Sequence, residues 1–230
     1  MATHQSLIGT TDEEFVQRMV TSYPDRFGES FWAFFTAEVG SALPADFVAV
    51  DLGCGPGLFL RDLAMRYPHA TLYGYDLTPA MIAYAEGLDW PVRPPTLAIH
   101  NVITQPLPLA TGSVHLLSMM SVLHLFDDPL TVLAEIRRVL APGGIFFLRD
   151  WIRTSLKDYL EWRQTSGDDD AVVSRQRGFR LFPVHNKYTV EDWEWLLAEA
   201  GFSLRHRVQL RPTHHIFVTT VAAEPSQIHA

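Results

Sequence analysis

Three glycines, at 53, 55 and 57, follow an acid at Asp51 in the run VAVDLGCGPGLFL from 48 to 60. Where no Cβ is present, the backbone bends tightly and lets a ligand come close. The spacing is G-x-G-x-G. A dinucleotide fingerprint would put its third glycine at 58, where Leu58 stands, and the Gly-Lys-Ser/Thr ending of a phosphate-cradling loop is absent. A second carboxylate, Asp76, ends the run LYGYD. A carboxylate at a strand end can accept hydrogen bonds from both hydroxyls of a ribose. Asp51 has a second reading as a cap of the following turn. Cys54 lies inside the turn with no base beside it, which suits small filler better than a nucleophile. The ten histidines show no His-x-x-x-His or Cys/His ligand spacing, so no metal is expected.

These residues need elements to hold them. FVAVDL, ATLYGYD, TLAIHN, VHLLSMM and IFFLRD read as strands. Helices alternate with them: GLFLRDLAMRY, TPAMIAYAE with Thr78 as cap and Pro79 in its first turn, and PLTVLAEIRRVL with apolar residues at 130, 133, 136, 139 and 140. Short apolar strands separated by helices imply a parallel sheet covered on both faces. Before them, Thr11 can cap a helix through DEEFVQRMVTSY, which Pro24 interrupts, and ESFWAFFTAEVG reads as another. After them, 151–188 is polar, aromatic and charge-rich with no clean strand. TVEDWEWLLAEAG is then a helix, and FSLRHRVQL and HHIFVTTVA can pair antiparallel at a sheet edge.

VDLGCGPG resembles the first motif of class I S-adenosylmethionine-dependent methyltransferases. The likeness continues through LYGYD, LTPAM and LPLATGSVHLLSMMSVLHLFDDPLTVLAEIRRVLAPGGIFFLRD, and YTVEDWEWLLAEAGF also matches. It implies an α/β, Rossmann-like, doubly wound fold. The sheet would have seven strands, mostly parallel with an antiparallel edge strand, plus N-terminal helices and a lid insertion after strand 5. Residues 1–230 would form one domain: a helical cover (1–40), a cofactor-binding core (45–150), a lid or substrate segment (151–188), and a final helix with edge strands (189–222). It implies S-adenosyl-L-methionine as cofactor, with Asp51 near its ammonium, Gly53, Cys54, Gly55 and Gly57 at its amino-acid and sulfur region, and Asp76 at its ribose. Leu77 and Met81 would border the adenine, although Met81 also reads as plain core. His100 and Asn101 replace a Gly-Asp pair frequent in the family. Asn101, followed by Val102, can still accept from the adenine amine. Met119 and Met120 end strand 4 where many members place an ionisable residue, either as a soft wall beside the sulfonium or as ordinary packing.

Open α/β sheets bind ligands beyond the carboxyl ends of their strands. Tyr23, Phe31, Trp32 and Phe35 of the N-terminal helices could cover that crevice from one side. Residues 151–188 could cover it from the other, since a connection there would normally be about 2–6 residues plus one helix. Its rings include Trp151, Tyr159, Trp162 and Tyr188, which suit a sulfonium. Tyr188, His124 and Tyr159 are the candidate catalytic groups. Tyr188 also reads as a staple of the helix capped by Thr189, and His124 as structural. The basic run SRQRGFR can receive a carboxylate or phosphate, or can pair in solvent with GDDD at 167–170.

A net charge of −8 shows none of the basic excess expected of a duplex binder, so a small-molecule partner is favoured over nucleic acid. With one cysteine, no intramolecular disulfide can form. The N-terminus lacks a charged run followed by an apolar one, and no apolar run approaches about 18 residues. A cytoplasmic, membrane-free location is expected. The leading function is methyl transfer to an N, O or C atom of a small molecule. One alternative is a cyclase in which the cofactor's own amine displaces methylthioadenosine to give azetidine-2-carboxylate. Another is a non-catalytic protein that uses the cofactor fold for binding.

Overall fold

The computed structural model describes residues 3–165 and 171–222. Four N-terminal helices come first: α1 His4–Ile8, α2 Asp12–Thr21, α3 Tyr23–Arg26 and α4 Glu29–Glu38. Thr11 and Glu14 form a reciprocal capping box at the start of α2, where three acids face the helix's positive end. Pro24 falls in the first turn of α3, where its missing N–H costs nothing.

Alternation then begins: β1 Val48–Leu52, α5 Leu58–Arg66, β2 Thr71–Asp76, α6 Pro79–Glu86, β3 Thr96–Ile99, β4 Val114–Met120, α7 Pro129–Val139 and β5 Leu140–Trp151. The region 151–188, in which the sequence shows no strand, forms two helices, α8 Leu156–Thr165 and α9 Ala171–His185. They are followed by α10 Val190–Glu199, β6 Phe202–Arg211 and β7 His214–Val221. Thr78 precedes α6, but its hydroxyl makes no capping bond; it accepts instead from Gln5 Nε2 at 3.0 Å, which ties α1 to the sheet end.

The seven strands lie in the order β3-β2-β1-β4-β5-β7-β6. β1 to β5 are parallel, while β7 runs antiparallel to both β5 and β6. The order reverses between β1 and β4, which places the crevice of such a sheet at their carboxyl ends. Strand pleating divides the core in two. Leu117, Met119, Phe146 and Leu148 pack with α7 and α10 on one face, and Leu116 and Phe147 pack with the aromatics of α4 on the other. Because β7 is reversed, the β6–β7 turn lies at the same end as the crevice. Trp151 ending β5, His214 opening β7 and Arg211 closing β6 are register partners there.

Candidate functional site

The glycine turn is anchored to the end of β2. Gly53 and Cys54 N–H both donate to Tyr75 O, at 2.7 and 3.1 Å. Gly55 N–H donates to Asp76 Oδ2 at 2.8 Å, and Thr78 N–H donates to Asp76 Oδ1 at 2.8 Å. All three glycines are left-handed, with φ of 79°, 53° and 75°. Their surroundings differ. A Cβ on Gly53 would lie 2.5 Å from a methyl of Val122, and one on Gly57 would lie 2.8 Å from Ala85 Cβ. A Cβ on Gly55 would find only Met81 Sδ, at 3.9 Å. Gly55 is therefore the position held open toward a cavity, while Gly53 and Gly57 also let neighbouring elements approach.

That cavity measures about 490 Å³ and lies beyond the carboxyl ends of β1, β2, β4 and β5. Asp51, Cys54, Asp76, Leu77 and Met81 line one end, with Asn101 and Val102 beside them. Asp51 is buried and accepts from Ser118 Oγ at 2.7 Å. Burial raises its carboxyl to about 7; the Ser118 bond opposes that rise and the charge of Asp76 adds to it. Asp76 is also raised, first by burial, against the N–H bonds of Thr78 and Gly55. Burial likewise pushes the Cys54 thiol up, away from thiolate chemistry.

Several candidate residues stand elsewhere. Gly57 does not line the cavity, because it is packed under α6. Met119 is fully buried among the residues packed on α7 and α10. Strand alternation leaves only Met120 at the cavity, so no double-methionine wall forms. His124 is fully buried with Nδ1 2.7 Å from Asp150 Oδ1, and its N–H donates to Asp150 Oδ2 at 3.2 Å. Tyr159 is also fully buried, its hydroxyl 2.8 Å from His185 Nδ1 and pushed up to about 12 by burial. Neither reaches the cavity, although His185 does. Tyr188 packs its ring 4.6 Å from that of Trp193, and the Thr189–Asp192 capping box starts α10 between them. This is a hydrophobic staple between N′ and N4, and Tyr188 is not a cavity residue. Phe31, Trp32 and Phe35 pack into the core, whereas Tyr23 and Phe27 line the cavity. Arg175 and Arg180 of SRQRGFR are exposed and lie outside the lining. Their expected partners at 167–170 lie outside the described residues.

At the far wall Trp151 stands where the sequence placed it, but Arg26, Arg149, Arg211 and His214, which line it with Trp151 and His185, were missed. Trp151 stacks on His185 with centroids 3.6 Å apart and lies 4.1 Å from the ring of His214. Arg149, next to the acid of IFFLRD, was the only local signal. The rest depends on the register of the β6–β7 hairpin. Among the described residues no group of three or more His, Cys, Asp or Glu is placed to hold a metal ion.

Residues 50–148 match a family described as a methyltransferase domain. That stretch is a methyltransferase domain, and the fold is that of class I S-adenosylmethionine-dependent methyltransferases. The chain is 35% identical over 103 residues to a malonyl-[acyl-carrier protein] O-methyltransferase of Hahella chejuensis, covering 41% of this chain and 33% of that protein. It is 33% identical over 116 residues to a trans-aconitate 2-methyltransferase of Methylobacterium radiotolerans, covering 45% and 37%. The chain thus spans about a third of the length of these relatives. The solved structure of the plantazolicin methyltransferase BpumL, in complex with a triazolic desmethylPZN analog and SAH, shares the fold. Its TM-score is 0.69 at 13% identity, over 96% of this chain and 95% of that one.

The residues of this site suit S-adenosylmethionine. Asp51 is a buried carboxylate with a single side-chain partner, suited to an ammonium. Asp76 has both oxygens fixed by backbone N–H groups, with lone pairs left for a diol. Gly55 leaves the only open Cβ direction of the three turn glycines. Asn101 Oδ1 already accepts from Ile103 N–H at 3.1 Å, so its reach to an adenine amine is shared.

Proposed function

We propose that this protein transfers the methyl group of S-adenosylmethionine to an N, O or C nucleophile of a small molecule. The supporting observation is one continuous cavity that joins the Asp51–Gly55–Asp76 end to a wall built by α3, α9 and the β6–β7 turn. Its volume lies within the roughly 300–1,000 Å³ of small-molecule sites. When bound, the cofactor supplies a methyl group made electrophilic by its sulfonium.

The chain's own residues hold, orient and dry the site. Asp51 would hold the ammonium, Asp76 the ribose, and Leu77 and Met81 the adenine. Tyr23, Phe27 and Trp151 present aromatic surface to a cation. Trp162, Leu181 and His185, from the two helices after β5, line the cavity with Phe15, Met19 and Tyr23 of α2 and α3 and would keep water from it. His124 and Asp150 act as positioning groups: Asp150 Oδ1 also accepts from Trp151 N–H at 2.7 Å, which fixes the end of β5. Positioning and desolvation are the protein's contribution in this reading. No observation favours the cyclase or the purely binding alternative.

Incubation with S-adenosylmethionine, with and without candidate acceptors, tests the reading. S-adenosylhomocysteine formed only with an acceptor is the expected product. Methylthioadenosine formed without any acceptor would replace methyl transfer by cyclisation.

A further inference from the structure

Three guanidinium groups line the far wall; their hydrogen bonds go to uncharged backbone carbonyls, and Arg26 and Arg149 also lie 5.3 and 5.2 Å from the Phe27 ring. Arg149, almost fully buried, donates from Nη1 to Arg26 O at 3.1 Å. Arg26 donates from Nε to Ser22 O at 3.3 Å and from Nη2 to Met19 O at 2.7 Å. Arg211 donates from Nη2 to Asp25 O. None of the three forms an ion pair among the described residues. The nearest acids offset this charge only in part: Asp150, held by His124 and Trp151 N–H, favours the Arg149 cation, and Asp25, exposed at the cavity, favours the Arg211 cation, neither forming an ion pair with them.

Each guanidinium carries five N–H donors, so most remain available. Gathering like charges in a partly buried place is unfavourable unless an anion offsets it. Burial and the neighbouring arginines pull Arg149 down to about 9, and burial pulls Arg26 to about 10. The same cations help hold His214 neutral, after burial itself. Trp151 adds a buried indole N–H with no partner. Three elements distant in sequence, α3, the end of β5 and the β6–β7 turn, converge to build this wall.

We propose that the wall is the acceptor subsite and that it binds the carboxylate of an anionic small-molecule acceptor through Arg149, Arg211 and Arg26. This deepens the methyl-transfer reading and rests on it. The cofactor's own carboxylate is the competing occupant, since Asp51 and the three arginines line one cavity; a titration with the site already filled by S-adenosylhomocysteine, which carries the same carboxylate, separates the two. The arginines anchor the acceptor without activating it, since a paired carboxylate is a weakened nucleophile.

Calorimetric titration in saturating S-adenosylhomocysteine tests the subsite, with benzoate, phenylacetate and glutarate each compared with its amide, and phenyl phosphate as a further arm. At least one carboxylate should bind ten-fold or more tightly than its amide. Arg149→Met and Arg211→Gln should each weaken it ten-fold or more, with S-adenosylhomocysteine affinity unchanged. If Arg149→Met does not fold, the half-exposed Arg211→Gln decides alone. The proposal falls if no carboxylate binds, if amides bind equally, if phenyl phosphate binds more tightly than every carboxylate, or if carboxylates bind only by displacing S-adenosylhomocysteine. Those results leave methyl transfer standing. A protein that does not bind S-adenosylhomocysteine at all overturns the underlying reading, and this proposal with it.

Discussion

Gly55→Ala and Gly57→Ala should separate ligand space from packing space within one turn. Both residues have left-handed φ, 53° and 75°, which costs an alanine about 1–2 kcal/mol. The lost freedom of the unfolded chain returns about 0.4–1 kcal/mol. For Gly55 nothing else is added, since the new methyl meets only Met81 Sδ at 3.9 Å. The net cost is about 1 kcal/mol, a fall in Tm of about 2–4 °C for a chain of this size. For Gly57 the methyl would sit 2.8 Å from Ala85 Cβ and 3.5 Å from Leu88 Cδ1. Overpacking of that kind adds about 1–3 kcal/mol, so Tm should fall at least twice as far. Binding should change in the opposite order. Gly55→Ala puts its methyl into the cavity and should weaken S-adenosylhomocysteine at least ten-fold by calorimetry, whereas any Gly57→Ala protein that folds should keep more of its affinity. Gly55→Ala with wild-type affinity, or with a Tm loss equal to that of Gly57→Ala, would refute the assignment.

Asp76→Ala should weaken S-adenosylhomocysteine by about 1–3 kcal/mol, read by calorimetry, and should lower Tm because the N–H groups of Gly55 and Thr78 lose their acceptor. The ligand-free protein should lose stability as pH rises from about 4 toward 7. Its Asp51 carboxyl sits at about 7 against an unfolded value near 3.9, so the folded state binds more protons throughout that window. The loss attributable to Asp51 is on the order of 4 kcal/mol. It should be missing from Asp51→Asn in denaturant titrations at each pH, and parallel pH profiles for the two proteins would reject it. Tyr188→Phe should keep wild-type turnover and Tm because the staple uses the ring. Tyr188→Ala should cost about 1 kcal/mol in thermal unfolding, and a large drop in turnover for the Phe variant would restore the hydroxyl to the chemistry.

Local chemistry made much of this protein legible from its sequence. Strand ends, the glycine turn, Asp51 and Asp76 lie within about thirty residues, and their spacing is set by one β-turn-α-β unit whose geometry is local. Caps at Thr11 and Thr189 were equally readable, since a capping box is a contact across three residues. Between Met119 and Met120, however, the choice depended on which face of β4 met α7, and only packing settles that. Polar or aromatic type drew attention to His124, Tyr159 and Tyr188. The fold placed them behind or beside the cavity because Asp150, His185 and Trp193 claim them. The arginine wall was the least legible feature. Arg26, Arg149 and Arg211 are separated by more than a hundred and by about sixty residues, and each looks locally like an ordinary surface cation. They meet only because β7 is reversed, which returns the β6–β7 turn to the carboxyl ends of the parallel strands, a fact of register that no local pattern encodes.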